Sequence, residues 1–250
     1  SRWADLADKY KVREYVQSLG LGDTLVKLYG RWDKASDIDW DRLPNQFVLK
    51  VNNGCGDILI CRDKDKLDKA TVIDTYDRLV SIKYGDVTGE PHYARIQPCV
   101  IAEELLDINK QSINTSSLID YKVWCLNGKP YCIWCAWNRG KEGADTGVYD
   151  LDWNYHPEWS VFTEHYRQGK EILPKPKCFE RMLEVASKLS EEFPILRVDL
   201  YEVNEKIYFG ELTFTSLGGF MDYLTSEILL DMGSKVRINE ISEEYVHVKC

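Results

Sequence analysis

Two carboxylates late in the chain have a spacing that suits the binding of a divalent cation. They lie in RVDLYEVNEKIYFGELTF, residues 197–214, where Asp199 and Glu211 fall in two apolar, strand-like runs. Residues two apart share one face of a strand, so Arg197 lies beside Asp199, and Thr213 accompanies Glu211 in the same way. If the connecting loop has an odd number of residues, Asp199 pairs across the hairpin with Glu211, and the two carboxylates can share a cation. The alternative is a surface acid pair that Arg197 compensates.

A lysine followed by a glycine-rich turn, in QFVLKVNNGCGDILI at residues 46–60, is a second candidate site. Lys50 closes one apolar run, and Gly54 and Gly56 precede the next. Backbone N–H groups exposed by such glycines can bind phosphate oxygens, and a strand–turn–strand flap can close over a nucleotide. The stretch is neither a Walker A loop nor a Rossmann fingerprint, because a strand and not a helix follows the glycines. The alternative is a plain hairpin turn with a solvated Lys50.

Hydrophobic periodicity predicts the elements that must position these residues. Two hairpins are predicted, one around Asn127-Gly128 in DYKVWCLNGKPYCIWCAW and one over residues 195–214. Further strands are expected at residues 47–51, 57–61 and 96–106, and helices at residues 4–19, 23–29, 68–85, 178–193 and 222–233. The region 139–176 is expected to be rich in loops. Together these elements predict an α+β fold with mostly antiparallel sheet.

Composition and charge exclude several functional classes. The formal net charge of -9 argues against nucleic acid, since phosphate binding needs basic patches. No apolar run approaches the roughly 20 residues that span a bilayer, and the first residues lack the apolar core of a signal peptide. The 8 cysteines include a single CxxC, at Cys132 and Cys135, which cannot complete a zinc site by itself. We therefore expect free, mostly buried thiols and a cytoplasmic protein.

The order of these motifs resembles the ATP-grasp superfamily, and in detail its TupA-like branch, named for teichuronopeptide synthesis. The resemblance extends from about residue 5 to about residue 235. It is carried by Phe-Val-Leu-Lys and the glycine turn, Val-Ile-Ala-Glu-Glu-Leu-Leu, Asp-Tyr-Lys with its hairpin, Arg-Val-Asp-Leu-Tyr and Gly-Glu-Leu-Thr-Phe. It implies two α+β lobes with mostly antiparallel sheets that clasp a nucleotide, after a short helical N-terminal segment. The implied segments are residues 1–45 (helical lead-in), 46–105 (small lobe), 106–235 (large lobe) and 236–250 (tail).

The same resemblance implies functions for particular residues. ATP would be bound by Lys50, Asn52, Gly54, Gly56, Glu103, Glu104, Leu105 and Lys122. In this set the lysines contact phosphates, the turn closes over the triphosphate, and residues 103–105 form the adenine hinge. Mg²⁺ would be held by Asp199, Glu211 and Thr213, the last at a position where many relatives have Asn. Arg197 and Lys122 would be the catalytic cations at the transferring phosphoryl group.

The activity that follows is that of an ATP- and Mg²⁺-dependent ligase. A carboxylate becomes an acyl phosphate, and an amine then attacks it to give an amide; both substrates would be small molecules or linked to a surface glycan. Arg139 could bind an acidic acceptor or be a solvated loop residue, and the tryptophans could stack on sugars or belong to the core. Three other functions remain open: a nucleotide-sugar glycosyltransferase using an Asp-x-Asp such as Asp150-Leu-Asp152, an ATP-dependent phosphotransferase, and a nucleotide-gated binding module without turnover.

Overall fold

The computed structural model describes four stretches of the chain, residues 2–54, 58–82, 84–85 and 89–238. Two compact units are present. Unit 1 comprises Ser1–Asp107 with Leu217–Gly219, and unit 2 comprises Ile108–Ser216 with Phe220–Cys250. Each unit contains one β-sheet, so the α+β class expected from the sequence is confirmed.

The sheet of unit 1 has four antiparallel strands in the order β1-β4-β2-β3. The strands are β1 (Leu28–Trp32), β2 (Phe47–Val51), β3 (Ile58–Cys61) and β4 (Val100–Glu103). Alternation along FVLKV buries every second side chain of β2 against helix α3 (Lys69–Leu79), in a core that includes Leu49 and Tyr76. Lys50 therefore points to the opposite face of the sheet.

The N-terminal segment differs from the single helix predicted over residues 4–19. It forms two short helices, α1 (Arg2–Ala7) and α2 (Val12–Ser18). The break follows Asp8, a buried residue whose Oδ1 accepts the backbone N–H groups of Tyr10 and Lys11 at 2.8 and 3.2 Å. A side chain that captures nearby N–H groups in this way favours a turn over a continuous helix.

The helix predicted over residues 23–29 is also wrong. A short 3₁₀ turn at Gly22–Thr24 precedes β1, which pairs with β4 more than 65 residues further along the chain, for example Arg31 with Ile101. Tertiary pairing therefore overrides the local helical pattern, as is common for short segments.

The sheet of unit 2 has six strands in the order β10-β9-β5-β6-β7-β8. They are β5 (Asp120–Leu126), β6 (Lys129–Gly140), β7 (Gly143–Tyr149), β8 (Tyr166–Gln168), β9 (Ile195–Val203) and β10 (Lys206–Thr213). The hairpin predicted at Asn127-Gly128 is confirmed, and both turn residues have positive φ, 49° and 76°. The strands β7 and β8 lie in the region expected to be loops, so that expectation is wrong there.

Helices cover both faces of this sheet. Helix α4 (Phe179–Ser190) packs with its buried stripe on one face, as its amphipathic sequence predicts. Helix α5 (Ser226–Lys235) belongs to the cluster on the other face, which also contains the buried Trp124 and Trp134. Trp134 and Trp137 are therefore core residues.

The cysteines in the described residues match the prediction of unpaired thiols. The free cysteines are Cys61, Cys99, Cys125, Cys132, Cys135 and Cys178, of which all but Cys178 are buried. The CxxC pair lies inside β6, where burial raises the pKa of both thiols. Cys55 and Cys250 lie outside the described residues. No helix in the described part of the chain is long and apolar enough to cross a membrane.

Candidate functional site

The start of the glycine turn in unit 1 is anchored by hydrogen bonds. The Asn52 side chain donates to the carbonyl of Gln97 at 3.1 Å and accepts the N–H of Cys99 at 2.7 Å. Lys9 Nζ donates to the carbonyl of Gly54 at 2.6 Å. Asn52 thus holds the turn against the residues that precede β4. Its side-chain amide is already hydrogen-bonded within the protein. Gly56, the second predicted glycine contact, lies outside the described residues.

Lys50 is part of a charge cluster on the face of the small sheet opposite α3. Its Nζ lies 2.6 Å from Oε2 of Glu103, whose carboxylate is buried. The other oxygen, Oε1, accepts Nη1 of Arg13 at 3.1 Å. The Lys50 side chain is still 21% exposed, so part of it is accessible to a ligand. We call Arg13, Glu103 and Lys50 the Lys50 cluster.

An exposed apolar surface adjoins Lys50 on the same face. Ile58 is directly opposite Lys50 on β3, and Ile60 is opposite Val48. Ile58 and Ile60 are 55% and 51% exposed, which is unusual for isoleucines in a regular strand. A flat apolar surface beside a cation suits a heterocyclic base that carries phosphates. Neither residue was predicted from the sequence, because residues 58–61 are all apolar and do not show which side chains stay exposed.

The predicted hinge, residues 103–105, follows directly from β4. The Glu104 N–H donates to the carbonyl of Lys27 at 2.9 Å, which fixes the backbone where the strand ends. The Glu104 carboxylate is exposed, whereas that of Glu103 is held in the Lys50 cluster. Of the two predicted hinge acids, Glu104 is therefore the one whose carboxylate is accessible to ribose hydroxyls. Leu105 is partly exposed.

The acids and the lysine of unit 2 lie in one row across three neighbouring strands. Glu211 on β10 is directly opposite Asp199 on β9, and Asp199 is directly opposite Lys122 on β5. We call these three residues the polar row. The pairing of Asp199 with Glu211 agrees with the sequence, but the predicted cause, an odd-numbered loop, is wrong. The turn has two residues, Asn204 and Glu205, both with positive φ.

A β-bulge in β10 shifts the strand register by one residue and so places Glu211 opposite Asp199. The register of β10 on β9 shifts between Phe209 and Glu211, so Gly210 is an extra residue on β10. A Cβ atom at Gly210 would lie 2.9 Å from the carbonyl oxygen of Asp199 and 3.1 Å from the Tyr201 ring. Only glycine fits there without displacing the backbone of β9.

Asp199 is surrounded by cations. Its Oδ1 accepts Nε of Arg197 at 2.7 Å, and its Oδ2 accepts Nη2 of the same side chain at 2.9 Å together with Nζ of Lys122. Burial alone would raise the pKa of Asp199, but the charges of Arg197 and Lys122 outweigh it and hold that pKa far below its ordinary value. Asp199 is therefore ionised at neutral pH.

Arg197 has most of its donors occupied within unit 2. Besides Asp199, it donates to the hydroxyls of Ser216 at 2.8 Å and Thr213 at 2.9 Å, and it lies 3.5 Å from Oε1 of Glu211. Burial alone would lower the pKa of the guanidinium, but the Asp199 carboxylate raises it well above the ordinary value. Arg197 thus links the metal-ligand candidates into one network.

Asp120, two residues before Lys122 and on the same face of β5, extends this network and was not predicted from the sequence. Its Oδ2 lies 2.8 Å from Nη1 of Arg139 and 3.4 Å from Nζ of Lys122. Its Oδ1 is buried with no hydrogen-bond partner among the described residues. The charge of Asp120, followed by burial, also raises the pKa of Tyr201 well above the ordinary value. Arg139 is thus half-exposed and paired with an acid rather than simply solvated.

The two carboxylates of the polar row suit Mg²⁺, which proteins commonly hold by one or two carboxylates together with phosphate oxygens and water. A carboxylate offers about four lone-pair positions, and Asp199 uses three of them for N–H donors. The Glu211 side chain is 28% exposed and lies directly opposite. Thr213 is nearly buried and accepts Arg197. The described residues contain no metal-binding group of three or more His, Cys, Asp or Glu, so protein ligands alone would be few.

Asp150, the metal ligand that a glycosyltransferase would require, has a different environment. Its Oδ1 accepts the N–H groups of Asp152 and Asn154 at 3.0 and 2.7 Å, and its Oδ2 lies 3.1 Å from Nε2 of His156. The Asp150 carboxylate therefore organises its own loop.

The fold is that of the ATP-grasp enzymes. It resembles D-alanine–D-alanine ligase from Bacillus anthracis with a TM-score of 0.53 and 16% identity, over 92% of this chain and 67% of that one. The same enzyme complexed with ATP gives a TM-score of 0.53 and 15% identity, over 92% and 61% of the two chains. This chain thus spans about two thirds of the length of that ligase. At such low identity the likeness shows the fold alone.

The family is defined by the sequence itself. The model of the TupA-like ATP-grasp family matches residues 2–237, nearly the whole chain. The protein therefore belongs to the TupA-like ATP-grasp family, as its motifs predict. No curated protein matches the chain at a significant level.

Proposed function

We propose that the protein is an ATP- and Mg²⁺-dependent ligase that activates a carboxylate as an acyl phosphate and joins it to an amine. Membership of the TupA-like ATP-grasp family over residues 2–237 is the observation that carries this proposal. Within it we assign nucleotide binding to the small lobe, residues 46–105, and metal binding to the large lobe, residues 106–235. Residues 1–45 precede the small lobe and are not purely helical as predicted, because they contain strand β1 of its sheet as well as α1 and α2, and a tail follows residue 235.

The reaction has two steps. A substrate carboxylate oxygen attacks the γ-phosphorus of ATP, the bond to the β–γ bridging oxygen breaks, and ADP leaves. The amine then attacks the carbonyl carbon of the acyl phosphate, a C–N bond forms, the C–O bond to phosphate breaks, and the nitrogen loses its proton. Phosphoryl transfer of this kind is catalysed mainly by positioning and by compensation of charge. The protein must therefore supply cations to phosphate oxygens.

Unit 1 offers the groups for an adenine nucleotide. Lys50 provides an accessible ammonium group for phosphate oxygens, and the backbone around Gly54 provides N–H groups. Ile58 and Ile60 provide an apolar surface for the base beside that ammonium. Glu104 provides an exposed carboxylate for ribose hydroxyls.

Unit 2 offers the groups for the metal ion and for the transferring phosphoryl group. Asp199 and Glu211 would hold Mg²⁺, which when bound neutralises oxygens of the β- and γ-phosphates. Lys122 and Arg197 keep Asp199 ionised in a buried position, so the carboxylate is oriented before any ligand arrives. Lys122 and Arg197 also supply the positive charge that we expect to stabilise the phosphoryl group.

The branch to which the chain belongs supports a role in surface polysaccharide or teichuronopeptide-type synthesis. The carboxylate would then be a uronic acid or an amino acid, and the amine a small molecule or a group on a glycan. Arg139, half-exposed at the end of β6, is available to such an acid once it exchanges Asp120 for the substrate. We place the enzyme in the cytoplasm, where ATP is available.

Thermal stability with added ligands tests the nucleotide and metal assignments. A ligand at about 100 times its Kd adds roughly 2.7 kcal/mol to the free energy of unfolding. We expect a Mg²⁺-dependent rise in Tm with ATP or ADP, and a smaller rise in the Glu211→Gln variant. Glu211→Gln is preferred to Asp199→Asn because Glu211 is partly exposed, so the variant should fold.

Thermal stability and ADP release together distinguish the proposed ligase from the other three functions. A rise in Tm with nucleotide sugars alone would overturn the proposal in favour of a glycosyltransferase. If ATP binds, release of ADP is then measured with candidate carboxylates, each with and without an amine. Phosphate transferred to a hydroxyl would indicate a phosphotransferase, and ATP binding without turnover on any acceptor would indicate a binding module.

A further inference from the structure

Arg13 connects the N-terminal helices to the Lys50 cluster. It lies on α2, and its guanidinium makes two contacts with different parts of unit 1. Nη1 donates to Oε1 of Glu103 at 3.1 Å, and Nη2 donates to the carbonyl of Val26 at 2.7 Å. The Arg13 side chain is only 16% exposed. The Arg13 guanidinium is therefore held in place by Glu103 and by the Val26 carbonyl. No motif in the sequence predicted this role.

The Glu103 carboxylate is buried between two cations. Lys50 and Arg13 each contact one of its oxygens, at 2.6 and 3.1 Å. A buried carboxylate that loses its only cation is strongly destabilised, because neither water nor another charge replaces that contact. If Lys50 were the only partner of Glu103, transfer of Lys50 to a phosphate would leave such a carboxylate behind.

We propose that Arg13 is a positioning residue for nucleotide binding, which keeps Glu103 compensated while Lys50 exchanges Glu103 for phosphate oxygens. This inference rests on the proposed function, since it assigns the nucleotide phosphates to Lys50. Arg13 itself touches no phosphate: it acts through Glu103. Helix α2 is thus part of the nucleotide site of unit 1.

The test measures the affinity for ATP with Mg²⁺ by isothermal titration calorimetry. We expect Arg13→Gln to raise the Kd by about tenfold, the equivalent of a free-energy change of about 1.4 kcal/mol. Arg13→Lys should bind ATP more tightly than Arg13→Gln, because it keeps the positive charge. It should still bind more weakly than the parent, because lysine cannot make both guanidinium contacts. Lys11→Gln is the matched control: it removes one positive charge from the same segment, at an exposed position paired with Asp5.

A second background shows whether Arg13 acts through Glu103. In Glu103→Gln the carboxylate is absent, so adding Arg13→Gln should change the Kd by less than about twofold, which is within the margin of about 0.5 kcal/mol used to distinguish coupled from independent positions. A purely structural role for Arg13 would lower the affinity by the same factor in both backgrounds. The Tm of each variant is measured without ligand to confirm that it folds.

Each outcome supports or overturns the inference. An Arg13→Gln variant that folds and binds ATP like the parent overturns it, and so does an equal loss in Lys11→Gln. An Arg13→Gln effect that persists undiminished in Glu103→Gln also overturns it. A parent protein that binds no adenine nucleotide rejects the proposed function and this inference together, and this result is distinguishable because it is seen without any substitution.

Discussion

Glu211 lies directly opposite Asp199 on the neighbouring strand because Gly210 is an extra residue in β10, inserted just before Glu211. The two-residue turn would otherwise place Gly210 itself opposite Asp199, with Glu211 on the wrong face of the sheet. One glycine therefore decides whether the two acids of the candidate metal site face each other.

We predict that Gly210→Ala destabilises the protein. The new Cβ would lie 2.9 Å from the Asp199 carbonyl oxygen, so the backbone of β9 or β10 must move. Overpacking of this kind costs about 1–3 kcal/mol, and Tm falls by roughly 2–4 °C for each kcal/mol in a chain of this size.

Gly233→Ala is the matched control for that experiment. Gly233 lies in α5, and nothing is within 4 Å of the position of its Cβ. Alanine in a helix is favoured over glycine by about 0.5–1 kcal/mol, so Tm should rise slightly. Equal Tm values for the two variants would contradict the importance that we assign to the bulge.

Lys122→Met tests the buried charges of the polar row. Lys122 is 5% exposed and lies against both Asp199 and Asp120. Removal of one partner of a buried ion pair typically costs about 3–5 kcal/mol. We expect Lys122→Met to lower the free energy of unfolding by this amount, measured by chemical denaturation at pH 7. The control is Lys129→Met, at an exposed lysine on the adjacent strand, which should leave the denaturation midpoint unchanged. A midpoint for Lys122→Met equal to that of the parent would show that the contacts of Lys122 contribute no stability.

His156 should make stability depend on pH. Its Nδ1 lies 2.7 Å from Oε1 of Glu158 and its Nε2 lies 3.1 Å from Oδ2 of Asp150, while its ring stacks on Trp159 at 3.8 Å. Burial alone would lower the pKa of His156, but the two carboxylates outweigh it and the net shift is upward. The charged form is therefore favoured in the folded state.

The sign of the effect follows from that shift. A raised pKa in the folded state means that the stabilisation is complete below the ordinary value, near 6.5, and is lost as pH rises through the higher folded value. We expect the difference in Tm between the parent and His156→Gln to shrink from pH 5.5 to pH 8.5. His165→Gln, at a histidine that packs edge-on against Tyr166, is the control. A difference that stays constant across this range would refute the assignment.

We expect Ile58 and Ile60 to contribute to the affinity for ATP and to contribute little to the stability of the fold. Both side chains are more than half exposed on the strand β3, so serine at these positions removes little buried surface. If they contact the base, the double variant Ile58→Ser/Ile60→Ser should weaken ATP binding by about tenfold or more, since each loses apolar contact area. Titration calorimetry measures the effect. Leu230→Ser, which is at a 74% exposed position of α5, should bind ATP like the parent.

Local patterns in the sequence determined most of the elements and the family. Alternation in FVLKV and the Asn127-Gly128 turn depend on neighbouring residues only, so β2 and the first hairpin of unit 2 were predictable. The amphipathic stripe of α4 was predictable for the same reason. The order of motifs was enough to identify the ATP-grasp family.

Only the tertiary structure decided which charged groups meet. β1 is a strand because β4 pairs with it from far along the chain, and β7 is one because it pairs with β6. Glu103 is captured by Lys50 and Arg13, which are 53 and 90 residues away in sequence. Periodicity shows which face a side chain takes, but a one-residue bulge or a distant partner changes the register and the contacts without altering that local pattern. The sequence by itself therefore predicted several residues of the candidate site. Packing determined how they are connected, and it added Asp120, Ile58 and Ile60, which the sequence did not mark.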